Sequence, residues 1–97
     1  EIDAYLAQPG VQYTNMKQIQ LQEWISLYMD GSEAWAQWRR TGVPALTPGP
    51  DLTVSRIPVR FHYPSLEQSL NNENLQAAVS RQGGGLDLVT KLWWMKN

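Results

Sequence analysis

Apolar side chains recur at helical spacing in the first third of the chain. Leu21, Trp24, Ile25 and Tyr28 fall at i, i+3, i+4 and i+7, with Gln18, Gln22 and Glu23 on other faces. The pattern predicts a long helix from about Asn15. Leu27 and Met29 widen its apolar stripe, so burial on more than one side is expected. Ahead of it, Glu1–Gln8 reads as a short helix or the tail of one, ended by Pro9-Gly10. Behind it, Asp30 can cap a second helix and Glu33, three residues on, can complete a capping box. Ala34, Trp35 and Trp38 form the expected apolar face of that helix. Gly42 suits its end, and Pro44 prevents resumption.

The pattern then changes. Five prolines lie between Val43 and Ser65, and proline removes a donor and fixes φ, so no regular helix fits. Thr53–Tyr63 alternates loosely through Val54, Ile57, Val59, Phe61 and Tyr63. Pro58 reduces that stretch to an edge strand or an extended loop. A last helix follows, with Asn71 or Asn72 as N-cap, Glu73 in its first turn and Leu75, Ala78 and Val79 as its apolar face. Gly83–Gly85 ends it. The tail "LDLVTKLWWMKN" reads as a strand-like segment or an anchor. The expected class is mainly α, with about three helices joined by a long Pro-rich irregular segment.

Composition narrows the function. Ninety-seven residues with a net charge of −1 and a pI of about 5.7 argue against general nucleic-acid binding, which needs a basic face. The eight Lys and Arg are scattered, so there is no polybasic tail. Cysteine is absent, which excludes disulfides, thiolate catalysis and cysteine-ligated zinc. No apolar run approaches the ~18 residues of a membrane span. The chain opens Glu-Ile without an initiator Met, so it is expected to be a piece of something longer. Five Trp and four Tyr stand beside one Phe. Core packing is the default use of such rings, and stacking on sugar faces is the functional one.

Catalytic chemistry is thin. His62 is the sole histidine, and its apolar setting between Phe61 and Pro64 points to a packed or hydrogen-bonded side chain. The nine carboxylates form no motif, and their spacing in sequence does not set a glycosidase-like separation in space. "GGGLD" is neither a dinucleotide fingerprint nor a P-loop. No catalytic residue, metal ligand or cofactor is expected.

One stretch carries a family likeness. "QEWISLYMDGSEAWAQWRRTGVPAL" holds Trp24 after Gln22-Glu23, then Glu33-Ala34-Trp35, Trp38, and the exit Arg39-Arg40-Thr41-Gly42-Val43-Pro44. Downstream, "IPVRFHYPSLEQSLNNEN" supplies Pro58, Arg60, Tyr63, Pro64, Glu67, Asn71 and Asn74. The closing "LWWMKN" has Met95 where the family commonly continues with Asp. In order and spacing these resemble the C-terminal region of the SusD/RagB family of outer-membrane nutrient-binding lipoproteins, over nearly the whole chain.

The resemblance implies a C-terminal fragment, residues 1–97, of a SusD-like domain. A tetratricopeptide-like helical part and an acylated cysteine would lie upstream. It implies non-enzymatic capture of a glycan at the bacterial cell surface, with delivery to a SusC-like TonB-dependent transporter. No binding residue carries over. Trp93 and Trp94 are weak ligand-binding candidates, and the motif residues from Trp24 to Asn74 are expected to be structural. Arg39 and Arg40 are expected to reach carboxylates or carbonyls of the Pro-rich segment. Two other readings stay open: a small helical protein-interaction module and a glycoside-processing enzyme fragment.

Overall fold

Asn15 sets the first well-capped helix. Its side chain accepts from the Lys17 N–H at 2.9 Å, and the Gln18 side chain returns to the Asn15 N–H, which makes a full capping box. The computed structural model describes residues 1–51 and 56–95 of the chain. Among these it holds five α-helices and no strand: α1 Ile2–Leu6, α2 Met16–Ser26, α3 Gly31–Thr41, α4 Ser65–Leu70 and α5 Asn72–Arg81. The mainly-α class is therefore observed. The helix number differs from the expected three, because Ile2–Leu6 forms a separate short helix and "SLEQSLNNEN" begins two helices where one was expected. They meet at Asn71, whose φ of −135° and ψ of 33° leave the helical region.

The chain divides into two compact units, Glu1–Pro44 and Ala45–Asn97. In the first, α2 packs against α3. α2 ends at Ser26, short of the expected Tyr28, in a turn closed by the Asp30 N–H donating to the Leu27 carbonyl at 2.9 Å. Its apolar stripe is not enclosed. Leu21, Ile25, Tyr28 and Met29 are exposed, and only Trp24 and Leu27 are half-buried. α3 starts where Asp30 accepts from the Glu33 N–H at 3.2 Å. It stops at Gly42, which takes a left-handed φ of 72° while its N–H donates to the Trp38 carbonyl at 2.8 Å. A side chain there would meet the steric cost of that region, which glycine avoids. The buried positions of α3 are Gln37 and Thr41, whereas Ala34, Trp35 and Trp38 are half-buried. The expected apolar face is thus offset toward two polar side chains.

The second unit has the apolar core: Val59, Leu75, Val79 and Met95. α4 and α5 pack together. Leu75 and Val79, four apart on α5, point one face inward, as the spacing predicted. Of the edge strand or extended loop expected around Pro58, Arg56–Tyr63 forms the loop, and the Thr53–Ser55 part lies outside the described residues. That segment is pinned by its backbone, as the N–H groups of Val59 and Arg60 both donate to the Leu88 carbonyl at 2.8 and 3.3 Å. Of the strand-like segment or anchor expected for the tail, the described residues form turns with Met95 buried, which fits the anchor, and Lys96 and Asn97 lie outside the described residues. Gly85, at φ 141°, lets the chain double back: a Cβ there would sit 2.5 Å from the Thr90 hydroxyl oxygen.

Candidate functional site

In the first unit the motif side chains are brought together around Gln37. Its amide Nε2 donates to Glu23 of α2, and its Oε1 accepts from Arg40. Arg40 also stands 3.8 Å from Glu23. The two ionic groups are about half exposed, so the pair adds little through charge alone. Gln37 is 3% exposed and uses both ends of its amide, so it is the residue that fixes α2 against α3. Arg40 therefore turns to α2, whereas the sequence pointed it at the Pro-rich segment. Arg39 lies over the Trp35 ring with its guanidinium carbon 3.7 Å from the centroid. Burial lowers its pKa from the ordinary guanidinium value. The exit turn is closed by Trp38 Nε1 donating to the Pro44 carbonyl at 3.1 Å and the Val43 N–H donating to the Thr41 hydroxyl at 3.1 Å. Val43-Pro44 is a cis peptide. The constellation contains one bridging amide, one ion pair and one guanidinium over an indole ring.

A cavity of about 580 Å³ lies beside α1 and α2, lined in part by Tyr5, Tyr13, Gln18 and Gln22. Gln18 is committed to the α2 cap, so fewer of its polar atoms are left for a ligand.

In the second unit a different group assembles. Arg60, 9% exposed, places its guanidinium carbon 4.7 Å from the Tyr63 ring centroid. Its NH1 donates to Gln82 Oε1 at 2.7 Å. Gln82 Nε2 donates in turn to the Tyr63 hydroxyl at 2.9 Å. Arg60 first, and then the Gln82 amide, hold the Tyr63 phenol below its usual range by favouring the phenolate. Pro64 occupies the N-cap position of α4 without a side-chain cap, and Glu67 accepts from Asn71 Nδ2 at 2.8 Å while Asn71 accepts from Asn74 Nδ2 at 2.6 Å. The Asn71 side chain therefore links its neighbours and does not cap α5. His62 is exposed and not packed.

Gln82 also opens onto a groove of about 370 Å³, lined by Arg81, Gln82, Lys91, Leu92 and Trp93. Trp93 is 95% exposed, while Trp94 is half-buried. The two candidate tryptophans thus separate: Trp93 faces solvent at a groove, and Trp94 does not share that exposure. An indole face beside an oriented amide and two cationic side chains can hold a sugar ring by stacking and direct hydrogen bonds to its substituents. Among the described residues no cluster of His, Asp and Glu could hold a metal ion, and no helix is long and apolar enough to cross a membrane.

Arg81, Gln82 and Lys91 were not expected from the sequence. Lys91 comes to Arg81 and Gln82 through the reversal after Gly83–Gly85, whereas the sequence predicts only a helix stop there. Gln37 had a weak signal, since it lies three residues before Arg40 on one helix face.

A family model described as SusD-like_2, "Starch-binding associating with outer membrane", matches residues 1–64. The match spans α1, α2 and α3 and the segment with Arg60 and Tyr63, and it ends before α4. The groove at Trp93 lies beyond it. No curated protein matches the chain.

Proposed function

The chain belongs to the SusD-like family, and from that premise we propose that it serves glycan binding at the bacterial outer-membrane surface, as the C-terminal part of a longer lipoprotein. The parent would carry the tetratricopeptide-like part and the lipid anchor and pass its ligand to a SusC-like TonB-dependent transporter. Binding breaks no bond and needs no cofactor. Support comes from the family's own description, which names starch binding and the outer membrane. The observation that carries the reading at residue level is the exposure of Trp93 at the groove with Arg81, Gln82 and Lys91. A large ring left in solvent contributes little to the fold, and the same ring stacked on a sugar loses that exposure. The motif residues, from Trp24 and Glu33 to Pro58 and Asn74, act structurally in this reading, holding caps and turns.

The test is migration through gels containing soluble starch or other polysaccharides, with product analysis of the sugar afterwards. Retarded migration with unchanged sugar chain length is expected. Trp93→Ala is expected to remove the retardation with the helical spectrum intact. Release of shorter sugars would support the glycoside-processing alternative and sink this one.

A second reading rests on a separate observation. Ile2, Tyr5, Leu6, Ile19, Ile25 and Met29 of the first unit are all exposed, and such a surface suits a protein partner. In the lipoprotein reading that partner is the rest of the parent chain. In the alternative, a small interaction module, it is another protein. Concentration-dependent association of the isolated chain, abolished when the upstream part is supplied, distinguishes the first from the second.

A further inference from the structure

We infer that the cavity beside α1 and α2 is a second sugar site, one that takes a neutral oligosaccharide on Tyr5 and Tyr13 with Gln22 as its hydrogen-bonding amide. This rests on the glycan-binding reading and adds to it a site in the first unit. α1 contributes Tyr5, the connecting loop Val11 and Tyr13, and α2 Ile19 and Gln22. The volume of about 580 Å³ falls within the ~300–1,000 Å³ of small-ligand sites. Among the described residues, none that lines the cavity is acidic or basic. A charged ligand would therefore find no counter-charge there, and a charge taken out of water without one is costly.

Gln18 builds this site rather than binding in it. Its Oε1 accepts from the Thr14 N–H at 2.6 Å, and its Nε2 donates to the Gln12 carbonyl at 3.1 Å. One amide thus grips the backbone on both flanks of Tyr13. The Val11 N–H donates to the Gln8 carbonyl at 3.0 Å and the Gln8 N–H to the Tyr5 carbonyl at 3.1 Å, which ties the loop to α1. Yet the Tyr5 and Tyr13 side chains stay in solvent, 58% and 64% exposed. Their backbone is already ordered, so binding costs less freedom. Gln22 lies one turn after Gln18 on the same face of α2. Among the described residues its amide and the two phenol hydroxyls have no hydrogen-bond partner. A phenol face takes the C–H side of a sugar ring. A primary amide offers donors and an acceptor together, which matches neighbouring hydroxyls. Tyr5 and Ile19 also belong to the exposed apolar surface that suits a protein partner, but an apolar partner would leave these polar atoms unpaired, which is costly. A sugar pairs them.

The experiment titrates the full chain with maltohexaose and with oligogalacturonate of equal length, following the tyrosine ring signals by nuclear magnetic resonance. Maltohexaose is expected to shift the Tyr5 and Tyr13 rings, to bind there roughly tenfold tighter than the acidic probe, and to be insensitive to salt. Tyr13→Ala should weaken this binding roughly tenfold and Gln22→Leu roughly fivefold, with helical spectra intact. The ring shifts should persist in Trp93→Ala, which removes the other groove. If maltohexaose binds and only Trp93→Ala weakens it, the inference is overturned and glycan binding stands. If no sugar binds, both fall. Oligogalacturonate that binds as tightly on the same rings overturns the neutral assignment. Ring shifts that vanish when the upstream part is supplied give the cavity to that part and also overturn the inference. So does association of the chain with itself or another protein that Tyr13→Ala abolishes while sugar leaves the rings unshifted.

Discussion

The two units of this chain bury opposite things. In Glu1–Pro44 the buried side chains are Gln37 and Thr41, and the large apolar residues of α1 and α2 are mostly in solvent. Among the described residues of Ala45–Asn97 the buried set is Val59, Leu75, Val79 and Met95, with Arg60 its charged member. The first unit is thus held by caps and an amide bridge, each contributing about 1 kcal/mol. The second is held by apolar burial, at about 25 cal/mol per Å² removed from water. A unit of the first kind specifies a shape more than it stabilises one. It presents an apolar face that a larger assembly can cover, while the second unit keeps its shape by its own core and presents a polar groove.

The largest effect that can break this contrast is on the second unit. Leu75 is 3% exposed, so Leu75→Ala should cost about 2–5 kcal/mol there. Amide hydrogen exchange is the measurement, because it reads each unit separately. Loss of protection confined to α4, α5 and the Val59–Leu88 pairing is expected. Equal loss in α2 and α3 would mean that the two units unfold as one, and the comparison would collapse.

Next comes the bridge. Gln37→Ala removes two hydrogen bonds, to Glu23 and from Arg40, whose partners water can still reach, at a cost of about 1–2 kcal/mol to α2–α3 packing. Ile25→Ser, by contrast, alters an exposed side chain and should stay within about 0.5 kcal/mol. Helix melting followed by circular dichroism, with exchange in α2 and α3, reads both. If Ile25→Ser proves the more damaging, the first unit has an apolar core after all.

These elements also show what a sequence can disclose. Local chemistry was readable: Asp30 at the start of α3, Gly42 at its left-handed end, and Leu75 and Val79 on one face of α5 each follow from rules acting within one turn. The family was readable too, from the order of motifs that runs from Trp24 to Asn74. What was not readable depends on partners distant in sequence. The apolar spacing of α2 predicted burial, but spacing reports only which residues share a face, not whether anything covers it. Apart from its spacing to Arg40, nothing in the sequence singles out Gln37, because its two partners, fourteen residues back and three ahead, meet only once α2 and α3 pack. The groove at Trp93 required the chain to reverse after α5, which no periodicity encodes. Asn71 satisfied every rule for an N-cap and instead bonds to Glu67 and Asn74.

The smallest effect is electrostatic and belongs to the second unit alone. Arg60 first, then Gln82, lower the pKa of Tyr63 in the folded chain, while an unfolded tyrosine titrates near ~10. A depressed pKa means the folded state releases the proton more readily. Its stabilising contribution is therefore complete above the unfolded value and disappears as pH falls through the folded one. Below the folded pKa the phenol is protonated in both states, and Tyr63→Phe should reveal no contribution from this ionisation there. As pH rises toward ~10, the wild-type second unit should gain on the variant, and the gap should widen with pH. Amide exchange in α5 across that range, paired with the ultraviolet absorbance of the phenolate, measures both halves of the argument. A gap that stays flat would mean that Arg60 spends its charge on Gln82 and not on Tyr63. The Gln82 amide would then still be fixed by Arg60 on one side and the Tyr63 hydroxyl on the other, with the guanidinium over the Tyr63 ring adding no charge stabilisation of the phenolate.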